Sequence, residues 1–216
     1  INPDPSQTEF EMAVAESVVE IEPDRVWEFT LRDNVFWHDG EPVTVDDVIF
    51  GIWLSLNSNS GAANETPVVG IKGGAKLREE GAAVGDISVE GATKIGDRGL
   101  RIELDNPIPN YWVNWSVGYW PYPKHIFGET PFEELFNPPY STMPIGNGPF
   151  KAVQFVEGQY MEMEANPDFF AGKPLVDKFI VRFGDTDTLT AALEAGEIHG
   201  MSASAGPIYD RLTSLD

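Results

Sequence analysis

The stretch FTLRDNVFWHDGEPVTVDDVIFGI, residues 29–52, carries three structural signals in close succession. It begins in alternating apolar and polar residues, passes through a His-Asp-Gly corner, and ends in an amphipathic segment. The alternation predicts a strand with one buried face, and Asp39-Gly40 is typical of a tight turn. No nucleophile, general base or metal-ligand set accompanies these signals. We therefore interpret the stretch as framework.

The alternation extends upstream into a second strand. Trp27, Phe29 and Leu31 fall on one side of the run at 26–32, and its polar residues fall on the other. The preceding run, MAVAESVVEIE, is rich in Val and Ile and is separated from it by the turn-forming PDR. The sequence therefore predicts two strands and a turn over residues 11–36.

A helix is predicted directly after the corner. Thr44 is a favourable N-cap, and Asp47 lies three residues later, where a carboxylate can accept from free backbone amides. The helix is expected to end in NSNSGAAN, residues 57–64. Its apolar positions recur at three- and four-residue steps and form one face: Val45, Val48, Ile49, Ile52, Trp53 and Leu56.

The rest of the chain predicts further strands and short helices. The last helix is expected to begin at Asp187 as N-cap and to stop at Gly196. A change in composition near residue 143 predicts a domain boundary at 142–146. The remaining expected elements are a short helix near 75–82, two strands joined by GDRG at 96–99, a short helix at 131–136, a hairpin following PIGNGPF, and a strand over 175–184.

Composition and charge exclude several classes of protein. The 216 residues carry 35 acidic and 14 basic side chains, a net charge of -21, which disfavours nucleic acid and anionic membranes as partners. The acidity fits solubility in a salty or hot habitat, or a field that attracts a cationic ligand. Cysteine is absent, which excludes disulfides and thiolate chemistry. No apolar run approaches the ~20 residues that span a bilayer.

The search for catalytic and metal-binding patterns predicts neither an enzyme nor a cofactor or metal site. His38, His125 and His199 lie far apart, and we expect ordinary surface or turn histidines. Sequential acid pairs such as Asp46-Asp47 do not face each other on a helix. The segment that follows Gly184 begins like a calcium loop, but it lacks the required glycine and glutamate.

The most informative functional feature is a segment dense in aromatic residues, 111–122. One interpretation is ordinary core packing; the other is the wall of a ligand cleft, because Trp and Tyr combine flat apolar area with a polar tip. Gly118, Pro121 and Pro123 interrupt the segment and favour exposure at a rim. The candidate ligand-binding residues are Trp115, Tyr119, Trp120 and Tyr122.

Three ordered motifs resemble the family 5 extracellular solute-binding proteins, the receptors of ABC importers. VWEFTLRDNVFWHDGEPVTVDDVIFGI resembles the family's strand, its aromatic-His-Asp-Gly corner and its Pro-x-Thr-x-x-Asp-Val element. PIGNGPFKAVQF together with ANPDFF, and later AALEAGEIHG, are similar to further motifs, so the resemblance covers roughly residues 13–200. The chain departs from the family pattern at Val18, Asn147, Phe150, Phe170 and His199.

The resemblance implies a mixed α/β fold, a partial periplasmic-binding-protein type II architecture. Residues 1–142 would form an extra domain inserted in lobe one, 143–206 a part of lobe one, and 207–216 the start of a hinge or of a second lobe. Family chains are considerably longer, so a fragment or trimmed product is expected. Arg32, His38, Asp39 and Asp47 would then be structural.

The implied function is non-catalytic binding of peptides or similar small solutes by a monomeric periplasmic or extracellular receptor, with a lipoprotein anchor possible. Its partners would be the solute and a membrane permease. Two alternatives remain open: an acidic secreted hydrolase that uses a pair of carboxylates, and a surface domain without a ligand.

Overall fold

The two strands predicted upstream of the corner pair in antiparallel fashion. The computed structural model describes residues 12–61, 70–109, 121–135, 137 and 139–202. In it β1 spans Ala15–Glu22 and β2 spans Val26–Leu31. Trp27, Phe29 and Leu31 of β2 are all buried, as the alternation predicted.

The predicted meander adds two more strands to this sheet. β3 spans Ala92–Ile95 and β4 spans Gly99–Glu103, joined by the expected turn. The strand order is β1-β2-β4-β3, with Phe29 opposite Leu100 in the antiparallel pairing of β2 and β4. This order makes β2 and β4 the central strands, and their apolar side chains form one wall of the core.

Helix α1, Val45–Leu56, supplies the other wall. Thr44 and Asp47 form the predicted capping box, in which each side chain accepts from the other residue's backbone amide. Phe50, Ile52 and Trp53 are at most 1% exposed. At 12 residues α1 is the longest helix in the described ranges, and none of the helices there has the length and hydropathy to span a bilayer.

The corner between β2 and α1 is closed by backbone hydrogen bonds. Gly40 N–H donates to Trp37 O at 2.9 Å, and Trp37 N–H donates to Glu41 O at 2.7 Å. Gly40 has a φ of 97°, a left-handed conformation that glycine adopts without steric cost. The Asp39-Gly40 turn was therefore predicted correctly.

Short helices accompany the four-stranded sheet and α1. We call the described residues up to 142 the first unit and those from 143 onward the second unit. A 3-10 turn at Ser58–Ser60 follows α1, and α2 spans Gly74–Glu80, near the predicted position. Helix α3, Lys124–Phe127, was not expected. The helix predicted at 131–136 is one 3-10 turn, Phe132–Glu134.

A second antiparallel sheet lies beyond the predicted boundary at 142–146, which itself stays a prediction. Its order is β5-β6-β7, with β5 at Phe150–Val156, β6 at Tyr160–Ala165 and β7 at Lys178–Arg182. Helix α4 follows over Thr186–Glu194.

The predicted start of α4 was wrong, and its predicted stop was right. Asp185, not Asp187, is the N-cap, because its side chain accepts a 2.9 Å hydrogen bond from Thr188 N–H. Asp187 lies in the first turn instead, where a carboxylate favours the helix dipole. Gly196, just after the helix, has the left-handed φ of 72° expected of a helix-stopping glycine.

Candidate functional site

Of the four candidate ligand-binding residues, one lies within the described residues. Trp115, Tyr119 and Trp120 lie outside them. Tyr122 is half-buried, and its ring lies 6.4 Å from the Phe50 ring and 5.7 Å from the Phe127 ring, centroid to centroid. These contacts place Tyr122 against the core of the first unit, and its contact with a ligand remains a prediction.

The backbone next to Tyr122 is held by Asp47. The Asp47 carboxylate accepts from Lys124 N–H through Oδ1 at 2.8 Å, while the Asp47 backbone carbonyl accepts from Tyr122 N–H at 3.0 Å. The second carboxylate oxygen, Oδ2, accepts from the backbone amide and the hydroxyl of Thr44, both at 2.8 Å. Asp47 is 3% exposed, and both of its carboxylate oxygens are occupied by protein donors.

The corner reaches the same segment through a second carboxylate. Asp39 Oδ2 lies 2.8 Å from His125 Nε2, with both side chains about a third exposed. Partial desolvation, the largest single effect, raises the pKa of Asp39. The hydrogen bond and charge of His125 and the backbone amide of Glu41 outweigh it, so the pKa of Asp39 is lowered from 3.8.

His38 links the corner to the second unit. Its Nδ1 accepts from Gly146 N–H at 3.2 Å, and its Nε2 lies 3.1 Å from Gly148 O. Because a carbonyl oxygen only accepts, Nε2 carries the proton and the ring is neutral. His38 lies in the turn of the corner, which agrees with the expected surface or turn position, and it is also a half-buried connector to residues 146–148.

Desolvation is the main cause that lowers the pKa of His38 from 6.5, and the nearby Lys151 ammonium lowers it further. The Gly148 carbonyl and Asp39 act in the opposite direction. Lys151 Nζ also donates to His38 O at 3.4 Å, and Asn166 Nδ2 donates to Gly148 O at 3.2 Å. The neutral ring is thus part of a small network that joins the two units.

The chemistry of these groups is structural. Asp47 is the one charged side chain that is buried among the described residues, and its carboxylate is saturated with donors. Within the same residues no group of three or more His, Asp or Glu side chains could hold a metal ion. The arrangement suits a rigid support rather than proton transfer or metal binding.

A concavity that the sequence did not suggest lies at one end of the second sheet. It has a volume of about 560 Å³ and opens to solvent. Arg182 on its wall pairs with Glu197 at 3.2 Å. The remaining lining residues combine apolar and polar side chains: Gly158, Gln159, Tyr160, Glu162, Ile180 and Phe183.

Comparison with known proteins identifies related chains. The family model described as bacterial extracellular solute-binding proteins, family 5 Middle, matches residues 9–214. A putative ABC transporter peptide-binding protein of Brucella ovis is 34% identical over 181 residues, which cover 83% of this chain and 31% of that protein. The chain thus spans about a third of the length of the curated relatives it matches.

Solved structures show the same fold. The oligopeptide-binding protein AppA of Bacillus subtilis, in complex with a nonapeptide, matches with a TM-score of 0.71 and 26% identity, over 87% of this chain and 34% of that one. NikZ of Campylobacter jejuni, in complex with Ni(L-His), matches with a TM-score of 0.68 and 26% identity, over 86% of this chain and 33% of that one. The fold is therefore that of part of a type II periplasmic binding protein, as expected.

Proposed function

The chain belongs to the bacterial extracellular solute-binding proteins of family 5, and from this premise we propose that it forms one wall of the solute cleft in a receptor of an ABC importer. Peptides are the proposed solutes, because relatives in Bacillus and Brucella are named as peptide-binding proteins. The receptor would act in the periplasm or outside the cell and deliver its solute to a membrane permease.

The observation that carries this proposal is that the titratable residues of the corner and of α1 form hydrogen bonds within the protein. The groups that a catalytic reading would need, Asp39, Asp47 and His38, are each bound to other parts of the chain. Asp39 and Asp47 bind residues 122–125, at the end of the aromatic segment, and His38 binds Gly146 and Gly148. A protein organised in this way presents rings rather than reactive groups, so we propose that it binds without catalysis.

The aromatic residues Trp115, Tyr119, Trp120 and Tyr122 are the proposed contact residues. Flat rings with polar edges bind peptide backbones and side chains of mixed polarity with little loss of conformational entropy. In the proposed receptor, 1–142 would be the inserted domain, 143–206 a part of lobe one and 207–216 the start of a hinge. The receptor would be a monomer, and closure of its two lobes around the solute would complete the cleft.

Calorimetric titration of the full-length gene product with peptides of two to nine residues tests the proposal. We expect saturable binding, and we expect Trp120→Ala to weaken it about tenfold or more, as truncation of a central aromatic contact does. Tyr160→Ala, in the concavity of the second sheet, is the matched control and should bind as the wild type does.

Two results would contradict the proposal. Failure of all peptides to bind would remove peptides as the solute class. An unchanged affinity in Trp120→Ala, combined with a loss in Tyr160→Ala, would move the site from the aromatic segment to the concavity.

A further inference from the structure

We propose that Asp47 is a positioning residue for Tyr122, which it holds in place through the backbone of residues 122–124 without touching the solute. The consequence for binding rests on the proposed function. The structural part does not, because it concerns only contacts within the chain.

The hydrogen bonds of Asp47 exceed what a helix cap needs. A capping box requires one carboxylate oxygen to accept from the N-cap amide, and Oδ2 does this with Thr44. The other oxygen accepts from Lys124 N–H, 77 positions further along the chain. The backbone carbonyl of Asp47 accepts from Tyr122 N–H. One residue therefore fixes two amides on either side of Pro123.

Burial makes these contacts strong. The carboxylate lies in the first turn of α1, where the helix dipole favours a negative charge. The bonds to Thr44 and Lys124 are 2.8 Å, a length typical of a charged acceptor. A buried charged acceptor that loses its donor is destabilised more than an exposed one, so the amide of Lys124 is held firmly.

The neighbouring contacts point in the same direction. Asp39 binds His125 one residue further along, and the rings of Phe50 and Phe127 pack against Tyr122. The stretch that contains the corner and the start of α1 thus holds Tyr122 and the two residues that follow Pro123. This stretch, residues 38–47, therefore does more than form a turn and begin a helix. It also supports the end of the aromatic segment at Tyr122.

Asp47→Asn tests this role because an amide cannot serve both sets of donors. If its oxygen accepts from Thr44, its NH₂ group faces the Lys124 amide, and the reverse arrangement removes the cap. Asp46→Asn is the matched control. Asp46 is adjacent in the same helical turn, has a side chain that is 43% exposed, and pairs with Lys94 instead of the 122–124 backbone.

Two further variants separate positioning from capping. Thr44→Val removes the cap hydroxyl but leaves the bond between Asp47 and Lys124. Lys124→Pro removes the backbone donor at residue 124 together with the lysine side chain, and it leaves the capping box in place. Proline is tolerated at the first position of a helix such as α3, and Pro123 already has an extended backbone. Lys124→Pro keeps the proposal testable if Asp47→Asn does not fold.

The readouts are amide hydrogen exchange in the 216-residue chain and peptide affinity in the full-length gene product. We expect Asp47→Asn to speed exchange at Lys124 about tenfold, the factor that corresponds to one charge-assisted hydrogen bond. Exchange in Asp46→Asn should stay within about twofold of the wild type. Lys124→Pro should speed exchange at Tyr122. Asp47→Asn and Lys124→Pro should both bind peptides more weakly than the wild type does.

The outcomes distinguish this inference from the proposed function. Unchanged protection of Lys124 in Asp47→Asn, or equal losses in Thr44→Val and Asp47→Asn, would overturn it, because Asp47 would then be a cap only. If the wild type binds no peptide, the proposed function fails while the exchange data still decide whether Asp47 positions Tyr122. If the wild type binds and Lys124→Pro leaves affinity unchanged, the positioning role in binding fails alone.

Discussion

The two sheets of the molecule are both antiparallel, yet within the described residues only the four-stranded one is covered by a helical layer. In the four-stranded sheet Phe29 of β2 is 6% exposed and packs with α1 in one core. In the three-stranded sheet Phe179 of β7 is 49% exposed, and every residue of β7 is exposed. Apolar and polar residues alternate along β2 from Trp27 to Leu31, whereas Ile180 adds an apolar residue to the other face of β7. The two strands also differ in what lies against them.

The difference shows that alternation and burial have separate causes. Phe179, Val181 and Phe183 follow the same period of two as Trp27, Phe29 and Leu31, and ring pairs at 5.5 Å and 6.0 Å tie β7 and the residue after it to β5. The period decides which face is apolar. A packed layer decides whether that face leaves water. Substitutions in the two sheets should therefore have unequal effects.

The largest effect is expected for Trp53→Ala in α1. Trp53 is 1% exposed and belongs to the main core, where its ring lies 5.9 Å from the Phe50 ring and 5.8 Å from the Phe132 ring. Its truncation should lower the free energy of unfolding by about 3–5 kcal/mol, because a cavity remains after the apolar contact is lost. Denaturant unfolding followed by circular dichroism measures the change.

A smaller effect is expected from the helix caps, again unequal between the two units. Thr44→Ala removes the hydroxyl of a half-buried capping box and should cost about 1–2 kcal/mol. Asp185→Ala removes an exposed cap from α4, and we expect a smaller fall in the unfolding midpoint. A larger fall for Asp185→Ala would show that α4 carries more of the stability than its exposure indicates.

The parts of the fold that could be predicted depend on neighbours in sequence. The strand at 26–32 and the capping box at Thr44 and Asp47 rest on local patterns, and both were predicted correctly. The N-cap of α4 was misplaced because Asp185 and Asp187 are chemically identical, and only the backbone decides which one caps. Helix α3 was missed because the prolines and aromatic residues around it obscure a single helical turn.

The site was harder to predict because its contacts join distant positions. His38 meets Gly146 across 108 positions, and Asp39 meets His125 across 86. No spacing rule in a single sequence connects such pairs. The residue types gave a partial signal, since a histidine next to an aspartate and a glycine-rich loop are both suited to hydrogen bonding, but they did not name the partners.

The link between the two units gives a pH dependence of intermediate size. Because the pKa of His38 is lowered in the folded protein, the unfolded chain binds more protons below the ordinary value of 6.5. The contribution of His38 is therefore fully present above that pH and is lost as the pH falls below it. Thermal unfolding measured from pH 5 to pH 8, in steps of about half a pH unit, gives the slope of stability against pH.

His38→Gln is the control for this slope, since glutamine can accept and donate without titrating. The variant should be less stable at pH 8, where it replaces the rigid ring, and its stability should change less between the two pH limits. An equal slope in the variant and the wild type would assign the pH dependence to groups other than His38.

The smallest effect on stability is expected where the second sheet lies open. Phe179→Ser should change the free energy of unfolding by less than about 1 kcal/mol, because the side chain is 49% exposed and its ring lies 5.5 Å from the Phe150 ring rather than in a packed core. Phe29→Ser, the same substitution at the matching kind of position in the first sheet, should cost several times more. Phe179→Ser should also reduce self-association of the isolated 216-residue chain in sedimentation velocity, since open apolar sheet faces associate. Equal losses of stability at Phe29 and Phe179 would mean that the second sheet is covered in solution, and that exposure in the isolated chain is a poor guide to what β7 contacts.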